Sequence, residues 1–70
     1  MEDRFSFRLK EADIICEVVR DNNHYSVYIQ DIFQGILEKD DIPKWVQVKG
    51  EPIPQLIIEE IGEKIEEHHM

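Results

Sequence analysis

The chain has 70 residues and a net charge of −8, with 34% charged and 41% hydrophobic residues. A chain of this length forms one domain, residues 1–70, and buries only about 60% of the surface that its unfolded form exposes. Its core is therefore thin and leaves little room for a catalytic cleft. Small domains compensate with disulfides, metals or self-association, so a monomer and a homodimer both remain open.

Charge and cysteine content limit the class of protein further. Half of the negative charge lies in residues 54–70, and such an excess disfavours nucleic acid and anionic membranes as partners. Cys16 is the only cysteine, which excludes a disulfide within the chain and fits a reducing compartment. The charged residues 1–4 do not resemble a signal peptide, and no apolar run is long enough to span a membrane. We expect a cytoplasmic protein.

The first 30 residues predict three strands. Phe5, Phe7 and Leu9 alternate with polar residues, which is the period of a strand. Ile14 to Arg20 is apolar on both faces except at Glu17. Placing Glu17 outward puts three side chains in the core, those of Ile14, Cys16 and Val18, and leaves Ile15 and Val19 outside.

Turn residues separate these strands from the next ones. Asn and Asp tolerate positive φ, so Asp21-Asn22-Asn23 predicts a hairpin, and a second tight turn is expected near Asp31. The third strand places Tyr25, Val27 and Ile29 on one face and Tyr28 on the other. A fourth strand is expected over residues 33–38, where Gly35 indicates a bulge or the close approach of another backbone.

The last third of the chain changes to a helical period. Pro43 ends the fourth strand because it cannot donate to a ladder, and a short fifth strand is expected from Trp45 to Val48. From Pro54 onward the apolar residues keep helical spacing and glutamates fill the other positions, which predicts an acidic amphipathic helix over about 54–68.

The sequence therefore predicts an α+β domain, with strands over about 4–49. Short connections favour a four- or five-stranded antiparallel β-meander with the C-terminal helix packed on one face. The other face is expected to be open. The predicted core consists of Phe5, Phe7, Leu9, Ile14, Val18, Val27, Ile29, Ile57, Ile61 and Ile65.

The pattern from Tyr25 to Ile65 resembles small uncharacterised bacterial domains built from a β-meander and a C-terminal helix. The resemblance rests on residues 25–29, Gly35-Ile36, Trp45 and the helix from Ile57 to Ile65. It covers just over half of the chain. It implies the same fold, and it implies no activity because these domains have none assigned.

No pattern predicts catalysis or a cofactor. Cys16 is flanked by apolar residues on the presumed inner face of a strand, where a cysteine is usually a small hydrophobe. His24, the candidate base for Cys16, Ser6 or Ser26, lies in a hairpin and is read as a turn residue. His68 and His69 are consecutive on a helix, so their side chains point about 100° apart and do not share a metal. We expect no enzyme activity, no cofactor and no metal site.

Two features indicate protein binding. Ile15, Val19 and Tyr28 are expected to lie together on the open face, and an apolar patch rimmed by charge is typical of a protein contact. The alternatives are that one of these strands faces the other way, or that these side chains are only the outer half of a thin sheet. Trp45 is either a core residue over the helix or, if exposed, an additional contact.

The predicted function is a small non-catalytic interaction module that binds itself or another protein through the open sheet face. One alternative is an acidic surface that binds a basic protein or mimics nucleic acid, which suits the net charge. A second alternative is weak binding of single-stranded RNA by the alternating Arg4, Ser6, Arg8 and Lys10 near Tyr28.

Overall fold

The computed structural model describes residues 3–10, 13–39 and 45–68. The elements are β1 (Asp3–Leu9), β2 (Ile14–Asp21), β3 (His24–Ile29), β4 (Ile32–Lys39), β5 (Trp45–Gly50) and α1 (Gln55–His68). All neighbouring strands are antiparallel and the sheet order is β1-β2-β3-β4-β5. The α+β meander with a C-terminal helix is confirmed, with five strands. Pro43 and His69 lie outside the described residues.

Both predicted hairpin turns use residues with positive φ. Gln30 (φ 53°) and Asp31 (φ 67°) connect the paired residues Ile29 and Ile32, and two such residues in a two-residue loop form a type I′ turn. Asn22 (φ 58°) lies in the loop between β2 and β3. Asn and Asp tolerate this conformation, which explains why these residues predict the turns.

Gly35 is required where β4 and β5 approach closely. A Cβ on Gly35 would lie 2.5 Å from the carbonyl oxygen of Lys49. The register also shifts at two places, between Val27 and Tyr28 in the β3–β4 pair and between Ile36 and Leu37 in the β4–β5 pair. The sequence gives a bulge and a close approach as alternatives at Gly35, and both occur in this part of the sheet.

The connection from β5 to α1 is organised by one glutamine. The Gln47 side chain accepts a hydrogen bond from the Ile53 amide (2.8 Å) and donates to the Glu51 carbonyl. The Pro54 carbonyl then accepts from the amides of Ile57 and Ile58, both at 3.0 Å, so the helix begins at Gln55. Pro54 has no N–H to leave unsatisfied at this position.

The core lies between the sheet and α1. Its buried residues are Leu9, Cys16, Val18, Val27, Leu37, Trp45, Ile53, Ile58, Ile61 and Ile65. The other five residues of the predicted core, Phe5, Phe7, Ile14, Ile29 and Ile57, are partly buried around it. The α1 backbone makes most of its close approaches to β1 and β5, the two edge strands of the sheet.

Trp45 is a core residue and lies directly under α1. Its side chain is 6% exposed, and a Cβ on Gly62 would overlap its Cδ1 atom. The indole N–H donates to Glu66 Oε2 at 2.9 Å, and Tyr25 packs edge-on at 5.1 Å between ring centroids. A buried indole with a satisfied N–H anchors the helix to the sheet.

Candidate interaction surface

The face of the sheet opposite α1 is here called the open face. Strand alternation and register place these residues on it: Arg4, Ser6, Arg8, Ile15, Glu17, Val19, Ser26, Tyr28, Phe33 and Ile36. The outward facing predicted for Ile15, Glu17, Val19 and Tyr28 agrees with this register.

The centre of the open face is apolar and partly exposed. Tyr28 pairs with Phe33 across β3 and β4, and their rings meet edge-to-face with centroids 5.6 Å apart. Phe33 is 44% exposed and Ile15 is 48% exposed. Edge-to-face aromatic pairs are a favourable arrangement, so these rings form a defined surface.

A cavity of about 470 Å³ opens at the end of this face, beside Asp13 and the β3–β4 turn. Its lining consists of Arg8, Asp13, Ile14, Ile15, Glu17, Tyr28, Gln30 and Asp31. Arg8 Nη1 lies 2.9 Å from Asp13 Oδ1, and this ion pair forms one wall. The cavity combines an aromatic ring, an exposed isoleucine and both signs of charge.

Val19 faces outward but is only 7% exposed. Arg4 is its cross-strand neighbour and extends toward Glu17, with Arg4 Nη1 3.8 Å from Glu17 Oε2. The short Val19 side chain is therefore covered by the longer side chains around it. Of the predicted contact residues, Ile15 and Tyr28 line the cavity and Val19 lies beneath the surface.

Trp45 does not belong to this surface. It lies on the helix side of the sheet, so it does not share a face with Ile15 and Tyr28. The two interpretations of Trp45 left open by the sequence are resolved in favour of the core residue, because the side chain is buried against Gly62.

The candidate nucleophile and base do not meet. Cys16 is fully buried, and burial, with a smaller contribution from Glu60, raises the pKa of its thiol to about 12. His24 is the first residue of β3 and not a turn residue, and its Nε2 lies 3.1 Å from Glu38 Oε2 on β4. Within residues 3–10, 13–39 and 45–68, no hydrogen bond joins His24 to Cys16, Ser6 or Ser26. A buried, protonated thiol is not a nucleophile for an external substrate.

Two of the helix glutamates have internal partners. Glu60 Oε2 accepts from the Lys10 amide at 2.7 Å, and Glu66 Oε2 accepts from the Trp45 indole. At the end of the helix, the His68 ring stacks on Phe5 with centroids 4.1 Å apart and lies 3.4 Å from Asp3 Oδ1. Part of the acidic charge of α1 therefore holds the helix on the sheet.

The described residues contain no group of three or more His, Cys, Asp or Glu side chains that could hold a metal ion. Among the same residues, no helix has the length and apolar character needed to cross a membrane.

Phe33 and Asp31 are the surface residues that sequence reasoning missed. The signal was present, because a two-residue turn at residues 30–31 pairs Ile29 with Ile32 and brings residue 33 opposite Tyr28. The sequence analysis placed the turn near Asp31 but assigned no face to the fourth strand. Pairing the residues on either side of the turn at residues 30–31 places Phe33 opposite Tyr28.

No family model matches the chain, and no curated protein or solved structure is significantly similar to it. The resemblance to bacterial meander-plus-helix domains therefore brings no function to this chain. Function must be argued from the surface itself.

Proposed function

We propose that this domain is a small non-catalytic interaction module that binds another protein, or a second copy of itself, through the open face. The observation that carries this proposal is the exposed apolar centre formed by Ile15, Tyr28 and Phe33. Charged side chains, among them Arg8 and Glu17, surround it. Exposed apolar residues within a charged rim are typical of protein contacts.

The burial of the Cys16 and Trp45 side chains supports the same proposal. Cys16 is inaccessible, and the indole of Trp45 is held by Glu66. Neither side chain is therefore available to a partner, whereas Ile15 and Phe33 on the open face are exposed. An aromatic pair that is already in contact loses little side-chain freedom on binding, which favours Tyr28 and Phe33 as the centre of the contact.

Tyr28→Ala tests the proposal. We expect it to weaken association at least tenfold, as loss of a central aromatic contact does, while the free energy of unfolding changes by less than about 1 kcal/mol. Binding is measured as the change in mass by light scattering and as co-purification with the partner. Leu56→Ala is the matched control, because Leu56 is 70% exposed but lies on α1. Association that survives both Tyr28→Ala and Phe33→Ala would contradict the proposal.

Single-stranded RNA is the second candidate partner, and the Tyr28–Phe33 pair is the observation that favours it. Two aromatic rings beside Arg8 on a sheet offer a stacking surface for bases. Arg8 and Arg4 already face Asp13 and Glu17, so RNA would have to compete with these carboxylates. Fluorescence anisotropy with an oligouridine at 50 and 200 mM salt tests this function, because RNA binding must fall steeply with salt.

The acidic alternative has weaker support in the geometry. Glu60 and Glu66 make internal hydrogen bonds, and a partner that captured them would compete with the packing of α1. Binding of a basic protein to the helix should not change in the Tyr28→Ala variant. The same variant therefore distinguishes helix binding from open-face binding.

A further inference from the structure

The two edges of the sheet differ in regularity. β1 pairs with β2 over seven residues without a register shift, and it contains neither proline nor glycine. β5 is interrupted where the register shifts between Ile36 and Leu37, and it ends at Gly50 with φ 101°. Bulges and irregular backbone are devices that keep an edge strand from pairing with another chain. β1 has neither a bulge nor irregular backbone.

The hydrogen bonds show which backbone groups of β1 face outward from the sheet. The Leu9 carbonyl accepts from the Asp13 amide, so Leu9 is directed toward β2. Because strand residues alternate, Ser6 and Arg8 direct their N–H and C=O groups toward the edge, as does Lys10. Glu60 confirms this direction, since its carboxylate accepts from the Lys10 amide.

The hydrogen-bonding groups of the β1 edge are thus occupied at its C-terminal end and unpaired in its middle. Glu60 occupies the Lys10 amide, but within the described residues Ser6 and Arg8 make no backbone hydrogen bond on the side away from β2. A regular edge strand with unpaired N–H and C=O groups is a template for another strand.

The sequence of this strand is symmetric. Residues 4–8 read Arg-Phe-Ser-Phe-Arg in both directions. A two-fold dimer requires a surface that is complementary to itself, with residue i against residue j in both copies. An antiparallel pair of such strands, centred on Ser6, satisfies this requirement and places Phe5 opposite Phe7 twice.

We propose that β1 pairs with β1 of a second copy, antiparallel and with Ser6 opposite Ser6, so that two domains form one continuous ten-stranded sheet. Phe5 and Phe7 are only partly buried in the single domain, and their rings already lie 5.9 Å apart. Across the two-fold axis each ring gains a cross-strand aromatic neighbour on the core side, which stabilises antiparallel pairs.

Charge sets the salt dependence of this dimer. Arg4 lies opposite Arg8 of the second copy. Each arginine already forms an ion pair within its own domain, Arg4 with Glu17 at 3.8 Å and Arg8 with Asp13 at 2.9 Å. Both acidic helices lie on the same side of the combined sheet. Salt therefore screens more repulsion than attraction, and the dimer should be as tight or tighter at 500 mM than at 50 mM NaCl.

The proposal goes beyond the open-face function and does not depend on it. Edge pairing leaves both open faces uncovered and on one side of the combined sheet, since the two-fold axis is perpendicular to it. A failure of one proposal is distinguishable from failure of the other, because Tyr28→Ala changes only the open face and substitutions at Ser6 change only the edge.

Cross-linking tests the register directly. In the Ser6→Cys variant the two new thiols lie on the two-fold axis, with Cα atoms about 5.5 Å apart, which a disulfide can bridge. In the Arg4→Cys control the thiols of the two copies are about 14 Å apart along the strands and cannot be bridged. The native Cys16 is buried and does not compete. We expect oxidation of the folded protein to give a covalent dimer for Ser6→Cys and not for Arg4→Cys.

Ser6→Pro tests the hydrogen bonds without cross-linking. Proline removes the edge-directed N–H, which β2 does not use, so the single domain should fold. We expect the dimer dissociation constant, measured by light scattering over a dilution series, to rise at least about tenfold relative to Ser6→Ala. A wild-type chain that is monomeric at millimolar concentration, or equal cross-linking at positions 4 and 6, would overturn the proposal. The cross-linking pair decides it even if Ser6→Pro fails to fold.

Discussion

The two faces of this sheet are built from the same alternating strands, but they differ in how completely their side chains are satisfied. On the helix side, Val18, Val27 and Leu37 are fully buried, and the polar atoms of Gln47 and Trp45 are hydrogen-bonded. On the open face, Ile15 and Phe33 remain nearly half exposed. The difference shows that one face carries the stability of the domain while the other is free to change, which is what a binding surface requires.

The largest expected effect comes from a charge at the centre of the covered face. Ile61 is fully buried, so Ile61→Asp should abolish cooperative folding, because an unpaired carboxylate between helix and sheet has no water or counterion. Leu56→Asp is the matched control on the same helix, and it should change the free energy of unfolding by no more than about 0.5 kcal/mol. Urea titration followed by circular dichroism measures both. A cooperative transition in Ile61→Asp would mean that α1 does not pack as described.

The next effect concerns the contact between Gly62 and Trp45. In an exposed helix, Gly→Ala adds up to about 1 kcal/mol of stability. Here the new methyl group would overlap the indole ring, so Gly62→Ala should instead destabilise the domain by about 1–3 kcal/mol. Thermal and urea unfolding give the sign directly. A gain in stability would show that Trp45 can move away from the helix without cost.

The last effect is absent at neutral pH, because it is a pH dependence that arises from the Cys16 thiol and appears only above pH 9. Its pKa is raised to about 12 in the folded protein against 9.0 when solvated, so the folded state retains the thiol proton where the unfolded state loses it. This contribution to stability is intact below pH 9 and should fall by up to about 1.4 kcal/mol per pH unit between pH 9 and 12. Urea midpoints of wild type and Cys16→Ala are compared across this range, and parallel pH profiles would refute the assignment.

Most of the fold could be predicted because the signals are local. The alternation of apolar and polar residues predicts the strands, and Asn22 and Asp31 predict the turns. The helical spacing of apolar residues among glutamates predicts α1. What could not be predicted depends on register. The two register shifts change which side chains of β4 and β5 face the helix, and only Gly35 signals them. Leu37 is missing from the predicted core because the sequence assigns no face to the fourth strand, and for Trp45 the sequence does not decide between core and surface.

The surface was predicted less completely than the fold. Ile15 and Tyr28 follow from strand parity, and the structure places both at the cavity. The burial of Val19 depends on the direction in which the Arg4 side chain extends, which a pattern of residue types does not contain. Helix rotation is a similar case, because Ile57 and Ile58 are both apolar and only the packing of Gly62 on Trp45 selects Ile58 for the core.

The strand order of the meander and the packing of α1 on β1 determine which folding step closes the longest loop. Each strand pairs with its neighbour in sequence, so the meander can grow by successive hairpins with short loops to close. The packing of α1 on β1 joins segments about 50 residues apart, as in the Glu60 contact with Lys10. Helix docking is therefore the folding step with the largest entropic cost of loop closure. Until the helix docks, the apolar inner face of the sheet is exposed to solvent and prone to aggregate.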